Sequence, residues 1–203
     1  MSELTSGAVM LASTLTPLAL HLGTSCLRMV RDARKIKKNV LCIPSKGGKS
    51  FLKASIKDNN ILIVDVDEFL KDFNDPEAVS RLELAKTDGL LHEHDLYYQE
   101  ASLKPLEFVK KLIKKNHKLR VLFITSSYSF ASLFRNDAVC VASPDSEFWE
   151  KILMERDPVE RELLRKQRQY MLDAVPKSAV NPYHTYDELE TMVRGRLGLV
   201  RHL

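Results

Sequence analysis

At 203 residues the chain has the length of one domain with a sizeable core, and 44% hydrophobic with 29% charged residues is the composition of a soluble globular protein. A formal charge of +4 admits a polyanionic or phosphorylated ligand without requiring nucleic acid. Three widely separated cysteines (Cys26, Cys42, Cys140) exclude a disulfide framework and offer no metal-ligand spacing, which points to the cytoplasm or another reducing compartment.

Leu4 to Leu27 carries no charged side chain and is followed by a basic cluster of Arg28, Arg31, Arg34, Lys35, Lys37 and Lys38. Pro17, His21 and several Ser and Thr residues interrupt the apolar run, which argues against a membrane span and for a partly buried helical extension over residues 1–38. No basic residue precedes the run and no processing site is evident, so it is not read as a signal peptide. This segment is also the place where a protein assembly partner would dock.

Val40 to Ile43 reads as a buried strand, Pro44 to Gly48 as a tight loop, and Ser50 to Ile56 as a helix. After the turn residues Asp58-Asn59-Asn60, Ile61 to Val64 is a strand buried on both faces that ends in Asp65-Val66-Asp67-Glu68. Pro76 to Lys86 has helical spacing that Asp88-Gly89 breaks. His92-Glu93-His94-Asp95 reads as a solvated loop or helix edge rather than a metal site. Lys104 to Lys115 is an amphipathic helix with Leu106, Val109, Leu112 and Ile113 on one face. Val121 to Ile124 and Val139 to Ala142 are further strands, ending in Thr125-Ser126-Ser127 and Ser143-Pro144-Asp145. Helices follow at Phe148 to Leu153 and from Pro158 through Arg168. The chain then reads as loosely ordered from Pro176 until a terminal helix over Tyr186 to Arg196. Alternating strands and helices of this length predict an α/β fold with a mostly parallel sheet. The expected divisions are an extension at 1–38, a domain at 39–175, and a tail with a helix at 176–203.

Gly47-Gly48-Lys49-Ser50 is the second half of a phosphate-binding loop. Glycines let backbone amides approach a phosphate closely, and the next helix adds unpaired N–H groups and the positive end of its dipole. Lys49 would reach terminal phosphates and the Ser50 hydroxyl would ligate Mg²⁺. The candidate phosphate-binding set is Pro44, Ser45, Lys46, Gly47, Gly48, Lys49, Ser50 and Phe51. Carboxylates at the carboxyl end of a parallel strand, here Asp65 and Asp67, are well placed for metal or substrate.

A Gly-Lys-Ser loop, one short helix, then a strand ending in Asp-x-Asp resembles the shikimate-kinase-like and gluconate-kinase-like members of the P-loop kinases, whose plan nucleoside and nucleotide kinases share. The resemblance spans Asn39 to Arg168. It implies a three-layer P-loop NTPase fold, ATP or GTP with Mg²⁺ as the bound nucleotide, and phosphoryl transfer to a small hydroxyl acceptor or a nucleotide. Under it Ser50 holds the metal, Asp65 organises the metal's water shell or acts as base, and Asp67 binds or activates the acceptor. Arg156, Arg161 and Arg165 fall where such kinases place lid arginines, and Ser126 or Ser127 senses the terminal phosphate. Two departures bear on catalysis. Ile43 stands where the loop usually begins with Gly, and Pro44 removes an amide donor. The Gly-rich segment that binds shikimate is absent, with Thr125-Ser126-Ser127-Tyr128 in its place.

Two other readings stay open. The strand ending in Asp65-x-Asp67, with Leu106 to Ser126, resembles the first motifs of haloacid-dehalogenase-type phosphatases, in which Asp65 would be the nucleophile and Asp67 the acid/base. A kinase-like domain retained for binding or assembly, in a viral particle or larger complex, fits the altered loop start and the uncharged N-terminal segment.

Overall fold

The computed structural model describes residues 39–73, 76–116 and 118–199. The proposed extension at 1–38 therefore lies outside the described residues. Four apolar runs form strands: β1 (Asn39–Cys42), β2 (Ile61–Asp65), β3 (Arg120–Thr125) and β4 (Val139–Pro144). A fifth, β5 (Val180–Tyr183), completes an all-parallel sheet of order β2-β3-β1-β4-β5. The helices are α1 (Lys49–Ser55), α2 (Val66–Phe73), α3 (Pro76–Thr87), α4 (Leu91–Ala101), α5 (Leu103–Lys115), α6 (Tyr128–Ala131), α7 (Ser146–Met154), α8 (Pro158–Asp173) and α9 (Tyr186–Leu197).

Strand alternation divides the core between the two sides of the sheet. Val40, Cys42, Val64, Val121, Phe123 and Val141 face a layer from α2 to α6 and α8, where Leu70, Tyr98, Leu106, Phe130 and Met171 are buried. Leu41, Ile43, Leu122, Ile124 and Cys140 face the other way, onto Leu52 of α1 and Leu189 and Val193 of α9. The fold is thus α/β, with helices on both faces of a five-stranded parallel sheet. Cys42 and Cys140 are free and buried, and burial pushes both thiols up. Among the described residues no helix is long and apolar enough to cross a membrane.

The reading of 176–185 as loosely ordered is corrected by β5, which pairs with β4 through Val141↔Val180 to Pro144↔Tyr183. Nothing in Val180-Asn181-Pro182-Tyr183 alternates in the way a half-buried strand does. Only Tyr183 is buried, and Pro182 carries no amide, which an edge strand tolerates. Over residues 177–199 the supposed tail belongs to the same sheet and core.

Strand order places the site. The chain leaves β1, passes over β3 to reach β2, returns to β3, and then crosses to β4 on the opposite side of β1. Ligands of open parallel sheets gather outside the carboxyl ends of the strands where the order reverses. Here that crevice receives the loop after β1. Register sets Asp65 opposite Ile124 and Cys42 opposite Thr125, so the ends of β1, β2 and β3 open at one level.

Candidate functional site

A cavity of about 640 Å³ opens at these strand ends. Its walls come from the β1–α1 loop, the β2 end, the α3–α4 hairpin, the β3 end, and the α7–α8 turn with α8.

The loop is a fixed bend. The Gly47 amide donates to Pro44 O at 2.9 Å, Lys46 has φ +67° and Gly48 φ +107°. A Cβ on Gly48 would stand 2.9 Å from the Tyr186 ring, so both backbone conformation and space require glycine there. The Tyr183 hydroxyl donates to Gly47 O at 2.5 Å, and Tyr186 stacks on Phe51 with ring centroids 5.3 Å apart. The segment after Pro176 therefore braces the loop. Ser45, Lys46, Gly48, Lys49, Ser50 and Phe51 line the cavity, whereas Pro44 and Gly47 stand off its wall.

Lys49 crosses to the acids. Its Nζ pairs with Asp67 Oδ2 and lies 3.6 Å from Asp65 Oδ1. Asp65 Oδ1 also accepts the Asp67 amide at 3.1 Å. Burial pushes the Lys49 ammonium down from its ordinary value, against the attraction of Asp65. It likewise pushes the Asp65 carboxyl up, against the attraction of Lys49. Desolvation is the larger influence on both groups. Asp67 is gripped further by the Tyr98 hydroxyl, 2.5 Å from Oδ1, and the Ser126 hydroxyl lies 3.4–3.5 Å from its two oxygens. The Ser127 hydroxyl is engaged elsewhere, accepting the Phe130 amide and donating to Asp95 at 2.9 Å.

The three arginines separate. Arg156, in the α7–α8 turn, lines the cavity, and its Nε is buried without a hydrogen-bond partner. Arg161 donates from Nε to Arg156 O at 2.8 Å and is off the cavity wall. Arg165 pairs with Glu150 at 2.7 Å on the exposed surface, also away from the cavity. In place of those two, α8 contributes Gln167 and Tyr170.

The α3–α4 hairpin supplies groups that the sequence reading did not assign to the site. Lys86, His94, Asp95 and Tyr98 all line the cavity. The stretch read as a solvated edge is the first turn of α4, and Asp95 within it is buried, held by Ser127 and by Ser129 at 2.6 Å. Burial lowers both Lys86 and His94 from their ordinary values. Helical spacing of 94, 95 and 98 was the available signal, since i, i+3 and i+4 share a face.

Among the described residues no group of three or more His, Cys, Asp or Glu side chains is gathered to hold a metal ion unaided. Ser50 and Asp65 line the same cavity, a hydroxyl and a carboxylate. That donor set suits Mg²⁺, which is commonly bound by one or two carboxylates together with substrate phosphates. Comparison of the chain with protein-family models, with curated proteins and with solved structures returned no match.

Proposed function

We propose that the chain is a P-loop kinase-like protein that binds the phosphates of ATP or GTP with Mg²⁺ and transfers a phosphoryl group to a small hydroxyl acceptor or a nucleotide. The observation that carries this reading is Lys49, half-buried at the switch point and paired from the loop with Asp65 and Asp67 on the wall of a cavity of about 640 Å³. A cation held between two acids is a poor structural choice, because desolvating charges costs several kcal/mol per ion and such a pair rarely stabilises a fold. It becomes useful when a phosphate draws the ammonium away and leaves Asp67 as an unpaired base.

In the proposed transfer the acceptor oxygen bonds to the terminal phosphorus. The bond from that phosphorus to the bridging oxygen breaks, and the electron pair stays with the nucleoside diphosphate. The acceptor's proton passes to Asp67. Arg156 meets charge building on the transferred group, and Ser50 with Asp65 would hold Mg²⁺, whose contribution is to neutralise phosphate charge.

A second reading, a nucleotide-binding or assembly module without turnover, draws on a specific observation. The Gly47 amide already donates to Pro44 O, which leaves the loop one amide fewer for phosphate, and the Gly47 carbonyl is fixed by the Tyr183 hydroxyl. One experiment tests both. Calorimetry with Mg·ATP and Mg·GTP should give binding that Lys49→Ala weakens by roughly 100-fold, and ATP turnover should exceed Mg²⁺-dependent hydrolysis of p-nitrophenyl phosphate. Binding without turnover leaves the module. Hydrolysis of the phenyl ester with no nucleotide affinity leaves Asp65 as a phosphatase nucleophile. Affinity unchanged in Lys49→Ala ends the loop reading.

A further inference from the structure

Lys86 is a cation on the cavity wall that the loop chemistry leaves unused. Of the other lysines that line the cavity, Lys46 pairs with Glu160 at 3.7 Å, Lys49 with Asp65 and Asp67, and Lys71 with Glu83 at 2.9 Å. Lys86, half-buried in the last turn of α3, has no ion pair or side-chain hydrogen bond among the described residues. Burial lowers its ammonium, and the charges of Lys46 and Lys71 lower it further. Burial is also the first cause that lowers Lys49 and His94, and the charge of Lys86 adds to both. Like charges gathered around an open space, one of them without a counter-group, favour an anion brought in from outside.

Beside that cation stand groups of the opposite need. Asp95 is buried on the cavity wall, with Ser127 and Ser129 donating to it and no cation paired with it among the described residues. Tyr170 of α8 lies against Asp95, and burial, then that charge, raise its phenol. Gln167 stands three residues earlier on the same face of α8, and its Oε1 is buried without a hydrogen-bond partner. A buried acceptor left unpaired is costly, and a bound donor relieves it. We propose that this half of the cavity is a subsite for a hydroxylated phosphate monoester: Lys86 holds the phosphate, and Asp95 and Gln167 Oε1 accept hydrogen bonds from hydroxyls on its body. A sugar phosphate and a nucleoside monophosphate share this chemistry. That the occupant is the acceptor of phosphoryl transfer rests on the function proposed above; that the subsite binds a phosphate monoester does not.

Calorimetry on the full chain tests this, with the protein saturated by Mg²⁺ and a non-hydrolysable ATP or GTP analogue. The probes are ribose 5-phosphate and AMP, with ribose and adenosine as their uncharged counterparts. At least one monoester should bind about 10-fold or more tightly than its counterpart, and the tighter of the two identifies the source. Lys86→Met should remove that advantage while affinity for the analogue stays within about twofold, and Lys86→Arg should restore monoester binding to within about threefold. Lys86→Gln carries the test if Lys86→Met does not fold. Gln167→Met should weaken the bound monoester and its uncharged counterpart by the same factor, about fivefold. Failure of both monoesters to bind, or equal binding of monoester and counterpart, overturns the proposal. So does a Lys86→Met protein that loses the analogue rather than the monoester, or one changed in melting temperature alone, which would make Lys86 a support for the carboxyl end of α3. If the unsubstituted protein binds neither analogue, the proposed function falls, and the same titrations without nucleotide still decide the subsite.

Discussion

The loop wall of the cavity and the α7–α8 wall opposite present cations in different ways. On the loop side, bend, bracing tyrosines and neighbouring acids all serve to place Lys49 at the strand ends. On the opposite side, Asp157 caps α8 by accepting the Val159 and Glu160 amides, and Pro158 occupies its first turn. Arg161, Arg165 and Arg168 then bond to protein: to Arg156 O, to Glu150, and to Ser143 with Pro144 O. Arg156 alone of that series keeps a buried donor atom without a partner. A basic cluster in sequence is thus one candidate ligand contact and three pieces of scaffolding. The structure distinguishes them by whether the charge already has a counter-group.

The largest way to break the contrast is to remove the loop cation. Lys49→Met strands Asp65, which is 5% exposed, and should cost about 3 kcal/mol in urea unfolding, because an unpaired buried charge is worse than either the pair or an apolar replacement. Adding Asp65→Asn and Asp67→Asn to the same protein should recover most of that loss. Recovery would mark the three charges as a site retained at the expense of stability. If the single substitution proved neutral, Lys49 would be solvated rather than committed to the acids.

Gly48→Ala comes next. The positive φ and the Tyr186 ring 2.9 Å away should together cost about 2 kcal/mol. Gly198, with φ +64° and open space around its Cβ position, should cost about 1 kcal/mol on the same change. Equal losses at the two positions would show that the tyrosine brace contributes nothing to the shape of the loop.

The difference between the walls also marks how far the sequence could be read. Strands β1 to β4 were legible because parallel strands buried on both faces are continuous apolar runs, and Asp65 and Asp67 were legible as carboxylates placed at the end of one such run. Strand β5 was not, since three of its four residues are only partly buried or exposed and one is proline. The tyrosine brace it carries was hidden with it. Asp95 and Tyr98 share a helix face by their spacing, but α3 and α4 mix polar and apolar residues all round, so nothing says that this face, or that of Lys86, meets the site. The arginines failed for another reason. Arg161 and Arg165 are four apart and share a helix face, but nothing local says that Glu150, fifteen residues before Arg165, will claim the latter.

Charge removal on the α7–α8 wall should sharpen the contrast at smaller amplitude. Arg156→Met is expected to lower kcat/KM for nucleotide by about 10-fold, whereas Arg165→Met should change it less than about twofold, since exposed ion pairs contribute little. Steady-state kinetics on the two proteins checks this. A larger effect at Arg165 would mean that the α8 face swings into the cavity when substrate binds.

The smallest effect is the pH dependence of stability, and its sign is dictated by burial. Asp65 has its folded pKa raised, so its contribution is fully present below the ordinary value near 3.8 and is lost as pH climbs through the raised folded value. Lys49 has its folded pKa lowered, so its contribution is fully present above the ordinary 10.5 and is lost as pH falls through the lowered folded value. Between those limits both groups are charged in a site that disfavours charge, and the pair subtracts stability across neutral pH. Other carboxylates, Glu83 and Glu188 among them, are shifted down by their partners and act oppositely on the acid side. The pair must therefore be read as a difference. Unfolding free energies of the unsubstituted protein and of Lys49→Met with Asp65→Asn, measured from pH 4 to pH 10, should diverge most near neutrality, by about 1 kcal/mol, and converge toward either end. A difference that stays flat across the range would mean that desolvation is not what the two groups suffer, and the site would lose the stored electrostatic cost that phosphate is proposed to relieve.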